Sequence, residues 1–176
     1  MQKKADIMDE ASVKRAINRI SYEILERNGG ADNICIIGIL SGGNYLGKRI
    51  AAKIEELEKC RVPFGVLDIT PYRDDIRSEE HIDRTDIPFD VRDKKIILTD
   101  DVMYTGRSAR AALDAIISRG RPQLIQLAVL IDRGHRELPV RPDYIGKNVP
   151  TARNEIVKVF LKEEEGEDAV SIFTTD

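Results

Sequence analysis

The sequence predicts an α/β fold, a mostly parallel sheet flanked by helices. Three observations carry that prediction. Short apolar runs suited to strands alternate with stretches of helical periodicity along the whole chain. One of those runs, Leu124 to Ile131, reads as a strand buried on both faces, the hallmark of a parallel sheet. A length of 176 residues, 41% hydrophobic and 34% charged, suits a single domain, residues 1–176, with a sizeable core.

The first helix is expected from about Asp9 to Asn28, ended by Gly29-Gly30. Val13, Ile17, Ile20 and Ile24 recur at helical spacing and form its buried stripe, while Arg15, Asn18, Arg19 and Tyr22 fall on another face. A strand from Ile34 to Leu40 runs into a Ser41-Gly42-Gly43 turn. A helix follows through Leu46, Ile50, Ile54 and Leu57, and Phe64 to Ile69 reads as the next strand. Residues 71–90 hold eleven Asp, Glu, Arg or His side chains and two prolines, with little apolar periodicity. They read as a long loop or a loosely ordered hairpin. Strand Ile96 to Leu98 precedes a helix ending near Gly120, and strand Leu124 to Ile131 comes next. Val140 to Ile145 and Ile156 to Leu161 are further strands, and Ala169 to Phe173 reads as an edge strand.

Composition excludes several classes. No apolar run is long enough to span a bilayer, and the polar, charged start carries no signal-peptide pattern. Cys35 and Cys60 have no metal-ligand spacing, and Cys35 sits in an apolar strand as a small hydrophobe. A cytoplasmic, reduced protein is expected. His81 and His135 have no metal-spaced partners and read as solvated or hydrogen-bonded. The net charge of −3 hides an asymmetry. Residues 163–176 hold six acids and no Lys or Arg, so the first 162 residues carry +3. Residues 119–158 hold eight basic and four acidic side chains. A basic binding face is therefore compatible with the acidic total.

The most informative segment runs from Lys95 to Ala112, where an apolar strand ends in Asp100-Asp101 and Tyr104-Thr105-Gly106-Arg107-Ser108 opens an Ala-rich helix. Adjacent carboxylates can accept hydrogen bonds from vicinal sugar hydroxyls. Loop amides at a helix N-terminus can surround a phosphate, whose charge the helix dipole favours by ~0.3–2 kcal/mol. No Walker-type Gly-Lys-Ser/Thr loop is present. In parallel sheets, ligands sit at the carboxyl ends of strands. The Ser41 turn, the loop after Ile69 and the Asp100 segment all lie at such ends.

This segment resembles the phosphoribosyl pyrophosphate (PRPP) signature of type I phosphoribosyltransferases. Its wording is similar to that of one branch, the PyrR family of bifunctional pyrimidine-operon attenuators with uracil phosphoribosyltransferase activity. Met8-Asp9-Glu10, the stretch from Asp68 to Asp75, the stretch from Ile125 to Pro139 and the stretch from Asp143 to Thr151 carry the same resemblance. It implies a type I phosphoribosyltransferase fold with a small hood subdomain, mainly about residues 132–151. The implied reaction is uracil plus PRPP giving UMP and pyrophosphate. Mg2+ is implied as cofactor, bound through PRPP rather than by a dedicated protein site.

Residue roles follow from the resemblance. Asp100 and Asp101 take the ribose hydroxyls, with Arg73 as the cation of a loop, Tyr72 to Asp75, expected to close over PRPP. Thr105, Gly106, Arg107 and Ser108 take the 5′-phosphate, Tyr104 closes that loop, and Ser41, Gly42 and Gly43 face pyrophosphate. Tyr104 stands where purine transferases often place an acid, and it cannot act as a carboxylate base at neutral pH; a pyrimidine is favoured. Arg133, Ile145, Lys147 and Val149 are the implied uracil pocket. Members of the family usually carry a basic Lys-Thr-Arg-Gly or Arg-Thr-Arg-Gly turn, whereas Leu40-Ser41-Gly42-Gly43 carries no cation. Weakened catalysis is expected, with Leu40→Lys plus Gly42→Arg raising turnover or tightening PRPP binding. Lys48 and Arg49 read as helix-surface charge rather than replacements.

The branch also implies binding to pyrimidine-operon leader RNA and UMP, as a homodimer or higher homo-oligomer. Arg15, Asn18, Arg19, Tyr22, Arg27, Arg141 and Arg153, with Lys147, form the candidate RNA surface. No RNA-recognition, KH or zinc-knuckle motif appears. A catalytically silent nucleotide or PRPP sensor, or a phosphoribosyltransferase without RNA binding, are the alternatives.

Overall fold

The computed structural model describes residues 1–75 and 80–175; residues 76–79 of the expected long loop lie outside the described residues. In chain order the elements are β1 (Gln2–Met8), α1 (Glu10–Asn28), β2 (Ile34–Ile39), α2 (Gly42–Glu58), β3 (Phe64–Leu67), β4 (Lys95–Met103), α3 (Arg107–Ile117), β5 (Leu124–Asp132), β6 (Tyr144–Asn148), β7 (Glu155–Phe160), α4 (Lys162–Glu165) and β8 (Ala169–Thr174). Five parallel strands form the main sheet in the order β3-β2-β4-β5-β6, and β1, β8 and β7 form a second, antiparallel sheet. No described helix is long and apolar enough to cross a membrane.

Burial explains the main sheet. Along β2, Ile34 and Ile36 pack toward α1 and α2, while Cys35, Ile37 and Ile39 pack toward α3. Both faces are covered, so the strand reads as an uninterrupted apolar run. Cys35 is buried among them. The stripe Val13, Ile17, Ile20 and Ile24 faces the sheet as its spacing predicts. Asp9 caps α1 by accepting from the Ser12 amide at 2.8 Å. Gly29, at φ 68°, ends the helix in the left-handed region, with the Gly30 amide reaching back to Leu25 O at 2.8 Å.

Two expectations are corrected. The strand β1 was not foreseen. Gln-Lys-Lys-Ala-Asp is polar because β1 is an exposed edge strand with little to bury. Its presence makes β8 the middle strand of its sheet, not an edge. The strand expected at Val140 to Ile145 runs instead from Tyr144 to Asn148. Pro142 has no N–H to donate, and the Val140 amide turns back to Leu138 O at 2.8 Å. Residues 132–151 hold β6 of the main sheet and its flanking loops, and the small antiparallel sheet draws on the two ends of the chain.

The second sheet and the segment joining β7 to β8 are tied to the main sheet and α2 by polar contacts. Arg49 on α2 pairs with both Glu163 (2.5 Å) and Asp168 (2.8 Å). Arg133, at the end of β5, donates to Glu155 O at 2.6 Å. β4 is the central strand of the main sheet, and this places its carboxyl end between the loops that follow β2, β3 and β5.

Candidate active site

Asp100 and Asp101 belong to β4 itself rather than to the loop beyond it. The Asp101 amide donates to Asp100 Oδ1 at 2.9 Å, and the Val102 amide to Asp101 Oδ1 at 2.8 Å, so both carboxylates are held by backbone at the strand end. Desolvation first, then the charge of Asp101, pushes the Asp100 carboxyl well above the usual carboxylate range. Two adjacent carboxylates thus resist being ionised together, and a nearby cation or a donating sugar hydroxyl favours the charged form.

The glycine turn meets this pair without a side chain between. A β-carbon on Gly42 would lie 2.3 Å from Asp101 Oδ2, and one on Gly43 would lie 2.3 Å from Thr99 O. Thr99, fully buried, donates from Oγ1 to Gly43 O at 2.7 Å. The Gly42→Arg half of the double change expected to raise turnover would press on the Asp101 side chain, which argues against a gain from that position. The alternative sources of charge on α2 are also engaged elsewhere. Arg49 is paired as described, and Lys48 lines a separate hollow with Pro88 and Phe89.

Two adjoining cavities of about 330 Å³ each share Arg73, Asp100, Val102 and Ser108. The first lies between Ser41-Gly42, the end of β3 at Asp68 to Thr70, Arg84 and the two acids. The second is bounded by Tyr104, Thr105, Gly106, Arg107, Ser108 and Glu137. Gly106, at φ 94°, turns the chain into α3, and the Arg107 amide donates to Thr105 Oγ1 at 3.3 Å. Small residues at a helix N-terminus make this second cavity suited to an anion the size of phosphate.

Each arginine of the groove has a carboxylate partner. Arg73 closes on Asp75 through Nε (2.7 Å) and Nη2 (2.5 Å), which reinforces its positive charge. Arg107 bridges Asp74 (2.7 Å) and Glu137 (3.1 Å). Asp68 was not singled out from the sequence, although an acid closing an apolar strand is a recognisable signal. It is 2% exposed. Its carboxylate meets the Thr70 amide at 3.1 Å, His81 Nε2 at 2.9 Å and the Arg84 amide at 3.3 Å. Burial opposes its charge, but these donors prevail and hold its pKa at about 2.

The structure brings Asp100, Asp101, Arg73, Ser41, Gly42 and Tyr104 to Ser108 to one continuous groove. Gly43 supports it from beneath. Arg133, Ile145, Lys147 and Val149 line neither cavity. Arg133 is 6% exposed, with its guanidinium 4.0 Å from the Tyr104 ring centroid and Nε donating to Thr151 Oγ1 at 3.1 Å. It reaches the site through Tyr104. Ile145 packs toward the α3 side, Val149 is buried on the other side, and Lys147 is exposed with Nζ 3.5 Å from Ile7 O. His135 is hydrogen-bonded, to Thr151 O at 2.6 Å.

On the candidate RNA surface, Arg15 and Tyr22 are exposed, Arg141 and Arg153 likewise, and Asn18 is half-buried. Arg27 pairs with Asp143 at 3.0 Å. Arg19 is exposed as expected, and its guanidinium is also engaged. It donates to Ile145 O at 3.2 Å and Gly146 O at 2.5 Å, carbonyls of the edge strand β6, and pairs with Glu23. An edge strand leaves backbone acceptors unpaired, and a guanidinium satisfies them.

Among the described residues no cluster of three or more His, Cys, Asp or Glu could cage a metal. The adjacent pair Asp100-Asp101 fits Mg2+ held by one or two carboxylates together with substrate oxygens and water.

Comparison with protein-family models matches residues 5–164 to the phosphoribosyl transferase domain. The Bifunctional protein PyrR of Acetivibrio thermocellus is 58% identical over 172 residues, covering 96% of this chain and 94% of the relative. The Bifunctional protein PyrR of Deinococcus radiodurans is 55% identical over 173 residues, covering 97% and 94%. A solved hypoxanthine phosphoribosyl transferase of Trypanosoma cruzi matches with a TM-score of 0.75 at 16% identity, covering 98% of this chain and 92% of that one. That last likeness speaks for the fold.

The Asp68 network has a pH signature. A carboxylate whose pKa falls on folding from 3.8 to about 2 stabilises the fold above its unfolded value, and the contribution is lost as pH falls through the folded value. Asp68→Asn should therefore cost roughly 2 kcal/mol at neutral pH. The gap should narrow between about pH 4 and pH 2. Urea unfolding of both proteins across that range checks it, and a gap independent of pH would show that the Asp68 charge stabilises nothing.

Proposed function

The chain belongs to the phosphoribosyl transferase family, in its PyrR branch, and from that premise we propose that it joins uracil to PRPP and reads pyrimidine-operon leader RNA according to its nucleotide load. The observation that carries the reading is the groove itself. Adjacent carboxylates end the central strand, a side-chain-free turn faces them on one side, and a phosphate-sized loop adjoins them on the other.

The reaction breaks the bond between C1′ of ribose and pyrophosphate, whose oxygen takes the electron pair. N1 of uracil bonds to C1′ and gives up its proton. Positive charge develops on the sugar ring, and Asp100 and Asp101 both hold its hydroxyls and oppose that charge. Thr105 to Ser108 seat the 5′-phosphate at the N-terminus of α3. Tyr104, backed by Arg133, covers that seat and links it to β7 through the Arg133 contact with Glu155. Mg2+, when bound, supplies positive charge to pyrophosphate, and Asp100 and Asp101 are the residues that would hold it through substrate oxygens. Arg133, Ile145, Lys147 and Val149 stand as the base-pocket set by resemblance; Arg133 acts through Tyr104 rather than from the cavity wall.

The RNA surface proposed is the exposed basic face bearing Arg15, Tyr22, Arg27, Arg141, Lys147 and Arg153, doubled in a symmetric homodimer or higher assembly. UMP and RNA must strengthen each other's binding reciprocally if the nucleotide sets RNA affinity. A protein that reads nascent transcripts would act in the cytoplasm.

Two measurements test this. UMP formation from uracil, PRPP and Mg2+ should proceed, with hypoxanthine and orotate used poorly. Asp101→Asn should lower turnover by about ten- to a hundred-fold with the fold intact, from the loss of charge-assisted hydrogen bonds. Better use of hypoxanthine than of uracil would overturn the pyrimidine assignment. In gel shifts with a structured leader, Arg15→Gln plus Arg141→Gln should weaken UMP-enhanced binding and flatten the salt dependence. The log–log slope should drop by about 0.7–0.9 for each phosphate contact removed. Equal binding and equal slope would take these side chains off the RNA surface.

A further inference from the structure

Pyrophosphate leaves the reacting centre with more negative charge than it brings. The cavity around it offers little positive charge from the expected quarter. Ser41 and Gly42 contribute none, and Asp100 and Asp101 are acidic. Two guanidiniums do line that cavity, Arg73 and Arg84. Arg73 is closed on Asp75 by two hydrogen bonds. Arg84 is arranged differently. Its Nε lies 3.5 Å from Asp68 Oδ2, a longer and single contact than the twofold clasp of Arg73 on Asp75. Its side chain is 66% exposed, so its planar fork stands open at the cavity wall.

The placement of Arg84 is built from β3. Asp68 Oδ2 accepts the Arg84 amide at 3.3 Å and meets His81 Nε2 at 2.9 Å. The Asp68 amide donates to Thr85 Oγ1 at 3.0 Å. Val66 and Asp86 then exchange backbone hydrogen bonds of 2.8 and 2.9 Å. Residues 81–86 are thereby stitched along the free edge of β3, and Arg84 is carried to the mouth of the first cavity.

We propose that Arg84 contacts the pyrophosphate of PRPP, supplying the cation that the Leu40-Ser41-Gly42-Gly43 turn lacks, and that Asp68 is its positioning residue. The proposal rests on the phosphoribosyl-transfer reading and assigns the leaving-group side of that site.

Calorimetric titration with three ligands separates the two. Wild-type protein with Mg2+ is titrated with PRPP, inorganic pyrophosphate and UMP, and so are Arg84→Met, Arg84→Lys and Asp68→Asn. Arg84→Met should weaken PRPP and pyrophosphate by about ten- to a hundred-fold, the range of a charge-assisted hydrogen bond, while UMP binds unchanged because it carries no pyrophosphate. Arg84→Lys should recover part of the loss. Asp68→Asn should shift the same two ligands and leave UMP alone. Unchanged pyrophosphate and PRPP affinities in Arg84→Met, or an equal fall for all three ligands, would overturn the assignment while leaving the transfer reading in place. Wild-type protein that binds UMP but neither PRPP nor pyrophosphate would overturn the transfer reading, and this assignment with it.

Discussion

The main chain of the Gly42-Gly43 turn touches the carboxyl end of β4 directly, and the rest of the site depends on that approach. Two β-carbons, each 2.3 Å from an atom of β4, would be enough to part them. The two positions differ in what they meet. Gly43 abuts the backbone oxygen of Thr99, which cannot move without moving the sheet. Gly42 abuts the side chain of Asp101 from its carboxylate down to Cβ, so a residue larger than glycine there displaces that carboxylate. One glycine therefore serves the packing of α2 on the sheet, and the other leaves a carboxylate free to face substrate. Gly47 continues the same contact one turn along α2, where a β-carbon would lie 2.5 Å from Thr99 Oγ1.

Around that contact the groove is rich in charge of both signs, and its cations are partnered by acids from neighbouring loops. Arg73 with Asp75, and Arg107 with Asp74 and Glu137, are exposed or half-exposed pairs. Such pairs are individually worth about 0–1 kcal/mol, so an incoming phosphate exchanges one anionic partner for another at small cost. Asp68 is different because it is buried and held by several donors, and it fixes the loop that bears Arg84. A second chain of contacts runs from Tyr104 through Arg133 to Thr151 and Glu155. It joins the phosphate seat to the small antiparallel sheet, so a ligand felt at one is positioned to be felt at the other.

Much of this was legible in the sequence because burial on two faces writes itself as apolar runs. β2, β4 and β5 were read that way, as were the stripe of α1 and its Gly29-Gly30 end. The convergence of three loops at strand ends followed from parallel topology alone. What escaped was structure held by polar contacts. β1 has too few buried residues to show a pattern, and its absence from the reading turned β8 into an edge. The bonds of Asp68 to His81 and Arg84 span 13 to 16 residues of a segment without periodicity. The capture of Arg19 by β6 carbonyls depends on which strand ends the sheet, which composition does not reveal. The glycine turn was noticed for the charge it lacks, whereas its role lies in the close approach it permits.

The central claim is that Gly42 keeps Asp101 free to bind the sugar of PRPP, and Gly42→Ala tests it most directly. PRPP affinity is measured by calorimetry with Mg2+ alongside the urea midpoint of the same protein. The added methyl would lie 2.3, 2.6 and 2.9 Å from Asp101 Oδ2, Cγ and Cβ, so the midpoint should fall somewhat while the transition stays cooperative, and PRPP affinity should fall by about ten-fold or more, as a charge-assisted contact is lost. Wild-type PRPP affinity in a folded Gly42→Ala protein would contradict the account.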